Sequence, residues 1–158
     1  MDTYVAFHEA GHAVMATLQY LPIDEVTIDP HGDSLGRAAR DMFYITENDA
    51  VDSGIEDWNQ LRGEANARVA LAGEIAQRIH DPDSEDPELA AVDQHLFYGM
   101  LIRLISNENE RVARARLLRL QTEHLLRAHW DAVARVASLL LVHTTIDANA
   151  VKRAVWPL

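Results

Sequence analysis

The chain has 158 residues, 48% hydrophobic and 25% charged, and its 14 Lys and Arg stand against 25 Asp and Glu for a formal charge of −11. Such a length and composition point to a single folded domain over residues 1–158 and exclude a disordered chain, while the acidic balance excludes a basic nucleic-acid footprint and disfavours an anionic membrane surface. Cysteine is absent, so disulfides, iron–sulfur clusters, thiolate zinc sites and a cysteine nucleophile are excluded, and any metal must be held by His, Asp or Glu.

No run approaches the ~20 apolar residues of a membrane span. The start, Met1-Asp2-Thr3, has no basic region of the kind that opens a signal peptide. The expected address is the cytoplasm. From Thr3 to about Tyr20, Val5, Ala6, Ala10, Ala13, Val14 and Leu18 recur three and four apart, the period of a helix. Asp2 or Thr3 can cap its start, and Pro22 ends it or follows its end closely. Val26-Thr27-Ile28 reads as a short strand bounded by Pro30, with a turn at His31-Gly32-Asp33. Leu35 to Arg40 and Met42 to Ile45 read as further short strands, which confines the β part to about residues 24–46.

Residues 47–54 are polar and acidic, a loop. A helix is predicted from Glu56 to about Ile79, with Leu61, Ala65, Val69, Ala72 and Ala76 on one stripe. His80 to Pro87 is loop-like. Asp86-Pro87 marks a helix start, a capping residue followed by proline at the first helical position. That helix should reach about Ser106, with a break at Asn107 to Asn109. Further helices follow over about 110–126 and 130–142. Thr145-Ile146-Asp147 then caps a last helix, Ala148 to Val155. The fold class expected is mostly α, a helical bundle with a small early β-sheet (first helix 3–20, sheet 24–46, helical remainder 56–155).

The first helix contains His8-Glu9-Ala10-Gly11-His12. Residues i and i+4 share a helix face, so two imidazoles spaced this way can point at one ion. Glu9 lies about 100° round the helix from His8 and can reach a water beside the ion. This is the HExxH pattern of helical zinc sites, in which the Glu acts as general base. Gly11 in a helix interior costs about 1 kcal/mol relative to Ala, which suggests a packing reason for it. The alternative is an amphipathic helix with two surface histidines.

Val5-Ala6-Phe7-His8-Glu9-Ala10-Gly11-His12-Ala13-Val14 resembles the zinc helix of the FtsH family of ATP-dependent metallopeptidases. Val26 to Gly32 with Leu35-Gly36 is similar to the family's "VTI-P-G…LG" segment. Ala67 to Ala76 resembles its "LGGRAAE" helix, and the tail from Leu125 through Ala137, Leu140, Thr145-Ile146-Asp147 and Val151 resembles its closing helices. The resemblance implies a mostly helical, zincin-like zinc peptidase domain. His8 and His12 would be zinc ligands and Glu9 the catalytic base. The family's third ligand is an Asp near the start of a later helix, and Asp93 is the best match here. Asp86, Glu88 and His95 are the alternatives.

The family carries an ATPase module. This chain opens at the zinc helix and contains no GxxxxGK loop. The expectation is a peptidase without its own ATPase, acting on unstructured polypeptides or peptides, alone or with a separate ATPase or adaptor. A homo-oligomer stays open. Two other readings compete: a non-catalytic metal-binding scaffold or adaptor, and a metal-dependent hydrolase of another bond such as a small amide.

Leu35 to Ala39 is the candidate substrate-binding edge, a strand to which an extended peptide could add. Arg37 and Arg40 on it read better as guards against aggregation than as substrate contacts. Arg111, Arg114, Arg116 and Arg119 read as a solvated face pairing with nearby Glu. Trp58, Trp130 and Trp156 read as core or interface anchors. His31, His80, His124, His129 and His143 have no partner at ligand spacing.

Overall fold

A computed structural model describes residues 3–30, 37–38, 56–84 and 86–158, without the side chains of 37–38, 56–61 and 88–89. The elements run α1 (Thr3–Leu18), β1 (Glu25–Thr27), β2 (Arg37–Ala38), α2 (Glu56–His80), α3 (Pro87–Leu104), α4 (Glu108–Ala128), α5 (Trp130–His143), β3 (Thr145–Asp147) and α6 (Ala148–Val155). The mostly helical class expected from the sequence is what the chain shows.

Twelve of the sixteen residues of α1 are buried. A helix covered on nearly every face belongs to the interior of a bundle. α2 and α5 flank it, and α6, β1 and β2 complete the enclosure. Small residues make this possible. Ala6, Ala10, Ala13 and Ala16 are fully buried, as are Ala72 and Ala76 on α2. At Gly11 the two helices lie in close contact: an added Cβ would collide with the Ala72 carbonyl oxygen and stand 2.6 Å from Ala76 Cβ. Gly11 thus has the packing reason its helix-interior position suggested.

The end of α1 at Leu18 is set by hydrogen bonding, and Pro22 follows it closely, the second of the two expected arrangements. Tyr20 N–H bonds Thr17 O at 3.1 Å and Leu21 N–H bonds Ala16 O at 2.9 Å. That pair is the Schellman pattern, and Tyr20 occupies its left-handed position at φ 56°. The first helix therefore closes two residues before the predicted Tyr20.

The sheet corrects the expectation that β structure stays within residues 24–46. Its order is β2-β1-β3, antiparallel throughout, with Val26 opposite Ala38 on one side and Ile146 on the other. The third strand comes from the far end of the chain. Thr145 Oγ1 donates to Thr27 Oγ1 at 2.7 Å across 118 residues of sequence. Asp147 still caps α6 as expected, accepting from Ala150 N–H at 2.7 Å. Asp147 therefore serves as strand residue and helix cap at once. Met42 to Ile45, the turn at 31–33, Leu35, Ala39 and Arg40 lie outside the described residues.

α4 begins earlier than predicted because Asn107 caps it, its side chain accepting from Glu110 N–H at 3.0 Å. The arginine face also needs correction. Arg114 pairs with Glu64 at 3.2 Å, and Arg119 lies 4.0 Å from Glu74 and over the Phe97 ring, so both reach partners on neighbouring helices. Trp130 stacks on Phe7 at 5.6 Å between centroids, whereas Trp156 is 49% exposed and no core anchor. The side chain of Trp58 lies outside the described residues.

No helix among the described residues is long and apolar enough to cross a membrane.

Candidate metal centre

α1 and α2 run antiparallel, and α3 lies against α2. The three helices bring together His8, His12 and Asp93, buried at 1%, 4% and 9% exposure. His8 Nε2 and His12 Nε2 are 3.1 Å apart. Asp93 Oδ2 stands 2.9 Å from the first and 3.1 Å from the second.

The other ring nitrogens fix what these atoms can do. His12 Nδ1 is 2.7 Å from the Val69 carbonyl oxygen, which can only accept, so Nδ1 carries the proton. His8 Nδ1 lies 3.1 Å from Gln77 Oε1, while Gln77 Nε2 faces the Ser84 carbonyl at 3.4 Å. That orientation makes Gln77 Oε1 the acceptor and His8 Nδ1 the donor. Each Nε2 is then the ring atom left to hold a proton or a metal ion, and the two converge on a carboxylate oxygen. A cluster packed this closely in a buried site needs positive charge, a proton on His12 in the metal-free chain or a metal ion in its place.

The electrostatics agree. Burial opposes a charge on His12, yet the Asp93 carboxylate, by charge and hydrogen bond, and the Glu9 charge outweigh it and push its pKa up to about 9. Burial likewise opposes ionisation of Asp93, but the two imidazoles hold it well below the usual carboxylate range.

A metal ion fits the donor set. Two imidazoles and one carboxylate are three-ligand chemistry for catalytic zinc, and ligands held tetrahedrally at about 2.0–2.1 Å stand roughly 3.3 Å apart, close to the triangle seen here. Each histidine has its second nitrogen bonded, as metal-bound histidines do. Gly73 leaves the room. An added Cβ there would collide with His12 Nε2 and stand 2.6 Å from His8 Nε2. Glu9, 3% exposed and next to His8, is within electrostatic reach of His12.

The rival residues do not join this group. Asp86 sits just before α3, and its carboxylate accepts from Tyr4 Oη at 3.4 Å. His95 is exposed. The side chain of Glu88 lies outside the described residues. Of the remaining histidines, His80 stacks on Phe7 at 3.6 Å and His129 bonds the Leu125 carbonyl at 3.0 Å. His31 lies outside the described residues.

The residues the sequence did not flag are Gly73, Gln77 and Val69, which all act from α2. A glycine inside a long helix was the one available signal. Gln77 stands one turn beyond it on the same face, and a backbone carbonyl such as that of Val69 carries no side-chain signature.

A buried His-His-Asp group that could hold a metal ion thus sits inside a mostly helical framework. No protein-family model matches it. It is 25% identical over 180 aligned residues to the ATP-dependent zinc metalloprotease YME1L1 of Rattus norvegicus, covering 95% of this chain and 24% of that protein. It is 35% identical over 79 residues to the ATP-dependent zinc metalloprotease FtsH 3 of Synechocystis, covering 49% of the chain and 12% of the relative. A third match, 32% over 82 residues, is the chloroplastic ATP-dependent zinc metalloprotease FTSH of Medicago sativa. All three relatives are ATP-dependent zinc metalloproteases, and the chain spans at most about a quarter of their length.

Proposed function

We propose that the chain is a zinc-dependent peptidase domain in which His8, His12 and Asp93 hold the ion and Glu9 is the catalytic base. The observation that carries this reading is the convergence of both imidazole Nε2 atoms and a carboxylate oxygen within 2.9–3.1 Å, with Glu9 on the same helix. Zinc supplies Lewis acidity, polarising a carbonyl and acidifying water. The protein's part is proton handling and orientation. Val69 and Gln77 fix both imidazoles in the Nδ1–H form. Glu9 takes the proton of the attacking water as its oxygen bonds the carbonyl carbon. As the C–N bond breaks, Glu9 returns that proton to the leaving amine. Nothing in these groups is particular to one amide, so polypeptides and peptides are the proposed substrates on the strength of the relatives, which are named proteases and ATP-dependent. A separate ATPase or adaptor would be the partner for folded substrates.

The test compares wild type with Glu9→Gln for zinc content and for cleavage of a fluorescently labelled, unfolded polypeptide. Wild type should bind about one zinc and cut. Glu9→Gln should keep its zinc and lose roughly 10²–10⁴ in rate. Zinc-loaded wild type that cuts no peptide bond would favour the metal-binding scaffold instead.

A further inference from the structure

Asp93 sits at a boundary within α3. Beyond it, Phe97 and Leu101 are buried with Ala67, Ala70 and Leu71 of α2 in an apolar cluster. Before it, α3 borders a cleft of about 280 Å³, whose lining includes Glu74, Gln77, Ser84, Asp86, Ala90 and Gln94. Among the described residues, the buried apolar cluster that seats α3 on α2 draws on α3 only beyond Asp93. Among the same residues, the side-chain hydrogen bond that joins the first half of α3 to α2 runs from Gln94 Nε2 to Glu74 Oε2, at 3.3 Å.

The placement of that bond is specific. Gln94 directly follows Asp93, and Glu74 directly follows Gly73, the residue beneath both imidazoles. Glu74 is a carboxylate with a side chain only 7% exposed. Burying such a charge is costly unless it is paired. Arg78 pairs with one of its oxygens, and Arg119 lies 4.0 Å from the other. The buried charge is thus held in place from α2 and α4 and receives α3 through an amide.

We propose that Glu74 is a positioning residue: acting through Gln94, it holds the first half of α3 against α2 so that Asp93 Oδ2 reaches His8 and His12. This rests on reading those three residues as the metal site. Partners that orient ligands in this way change metal affinity about 10–100-fold when removed.

The experiment measures zinc affinity of the full chain against a chromophoric chelator, and the visible spectrum of the cobalt-loaded protein. The variants are Gln94→Ala and the exchange Glu74→Gln with Gln94→Glu, which re-forms the bond in reverse. Gln94→Ala should bind zinc about tenfold more weakly with an altered cobalt spectrum, while its metal-free melting temperature stays near that of wild type. The exchange should recover most of the affinity and the spectrum. Wild-type affinity in Gln94→Ala would overturn the proposal while leaving the metal site standing. So would a matching loss of metal-free stability that the exchange fails to restore. A wild type that binds no zinc would overturn the metal-site reading and the clamp with it.

Discussion

Gly73 lies directly against His12: a Cβ in its place would occupy the volume of the imidazole Nε2. The close approach of α2 to the paired histidines is thus possible at this position only without a side chain. Gly73→Ala should lower zinc affinity roughly a hundredfold or more, at or beyond the upper end for disturbed supporting groups. The intrinsic helix propensity gained, about 1 kcal/mol, works in the opposite direction on stability. Metal titration beside thermal unfolding separates the two effects, and zinc binding at wild-type strength would refute the contact.

Gln77 orders His8 from the side away from Asp93, accepting from Nδ1 at 3.1 Å. Gln77→Leu removes the acceptor and leaves the Nδ1 proton without a partner. Zinc affinity should fall about tenfold to a hundredfold. Gln77→Glu keeps an acceptor at that place and should lose much less. Equal losses in both variants, measured by chelator competition, would show that shape rather than the hydrogen bond matters.

The pH dependence of the chelator-treated protein follows from the same group. The pKa of His12 rises from 6.5 to about 9 on folding. The folded state holds this proton more tightly, so its stabilisation is fully present below pH 6.5 and is lost as pH climbs through 9. Asp93 works the other way. Its pKa falls from 3.8, so its stabilisation is present above that value and disappears on acidification. Urea midpoints of the metal-free chain should therefore decline between pH 6.5 and 9. Zinc displaces the His12 proton, and its affinity should rise over that window. A flat metal-free profile would contradict this account.

Gly11→Ala tests the crossing of α1 and α2. Helix propensity favours the change by about 1 kcal/mol, but the new methyl meets the Ala72 carbonyl and Ala76. Overpacking of this kind costs about 1–3 kcal/mol, so the variant should be no more stable than wild type and is expected to be less. Adding Ala76→Gly should recover part of the loss. A clear rise in denaturant midpoint for Gly11→Ala alone would sink the argument.

What could be read from the sequence follows the range of the forces involved. The pairing of His8 with His12 is local, fixed by 3.6 residues per turn, and needed no tertiary knowledge. Asp93 lies 81 residues from His12, and no periodicity links them, so only a family resemblance pointed to it. Gln77 and Val69 were invisible because their roles exist only once α2 docks on α1. β3 was missed for a different reason: the segment up to Asp147 reads as the approach to a helix cap, and only its pairing with β1 makes it a strand as well. The arginines of α4 read as a solvated face because a sequence shows partners four residues away and hides those on the next helix.

The burial of α1 has a consequence for how this chain can change. Its twelve buried residues include the paired histidines and Glu9 along with Val5, Val14 and Met15. One element is thus both the keystone of the interior and the bearer of the proposed metal site. Substitutions there face two judges at once, and few can satisfy both. Variation has freer ground on the outer faces of α3 and α4, where Val92, Ile102, Val112 and Leu120 already stand in solvent. Lineages descended from this chain should diverge around an almost frozen first helix.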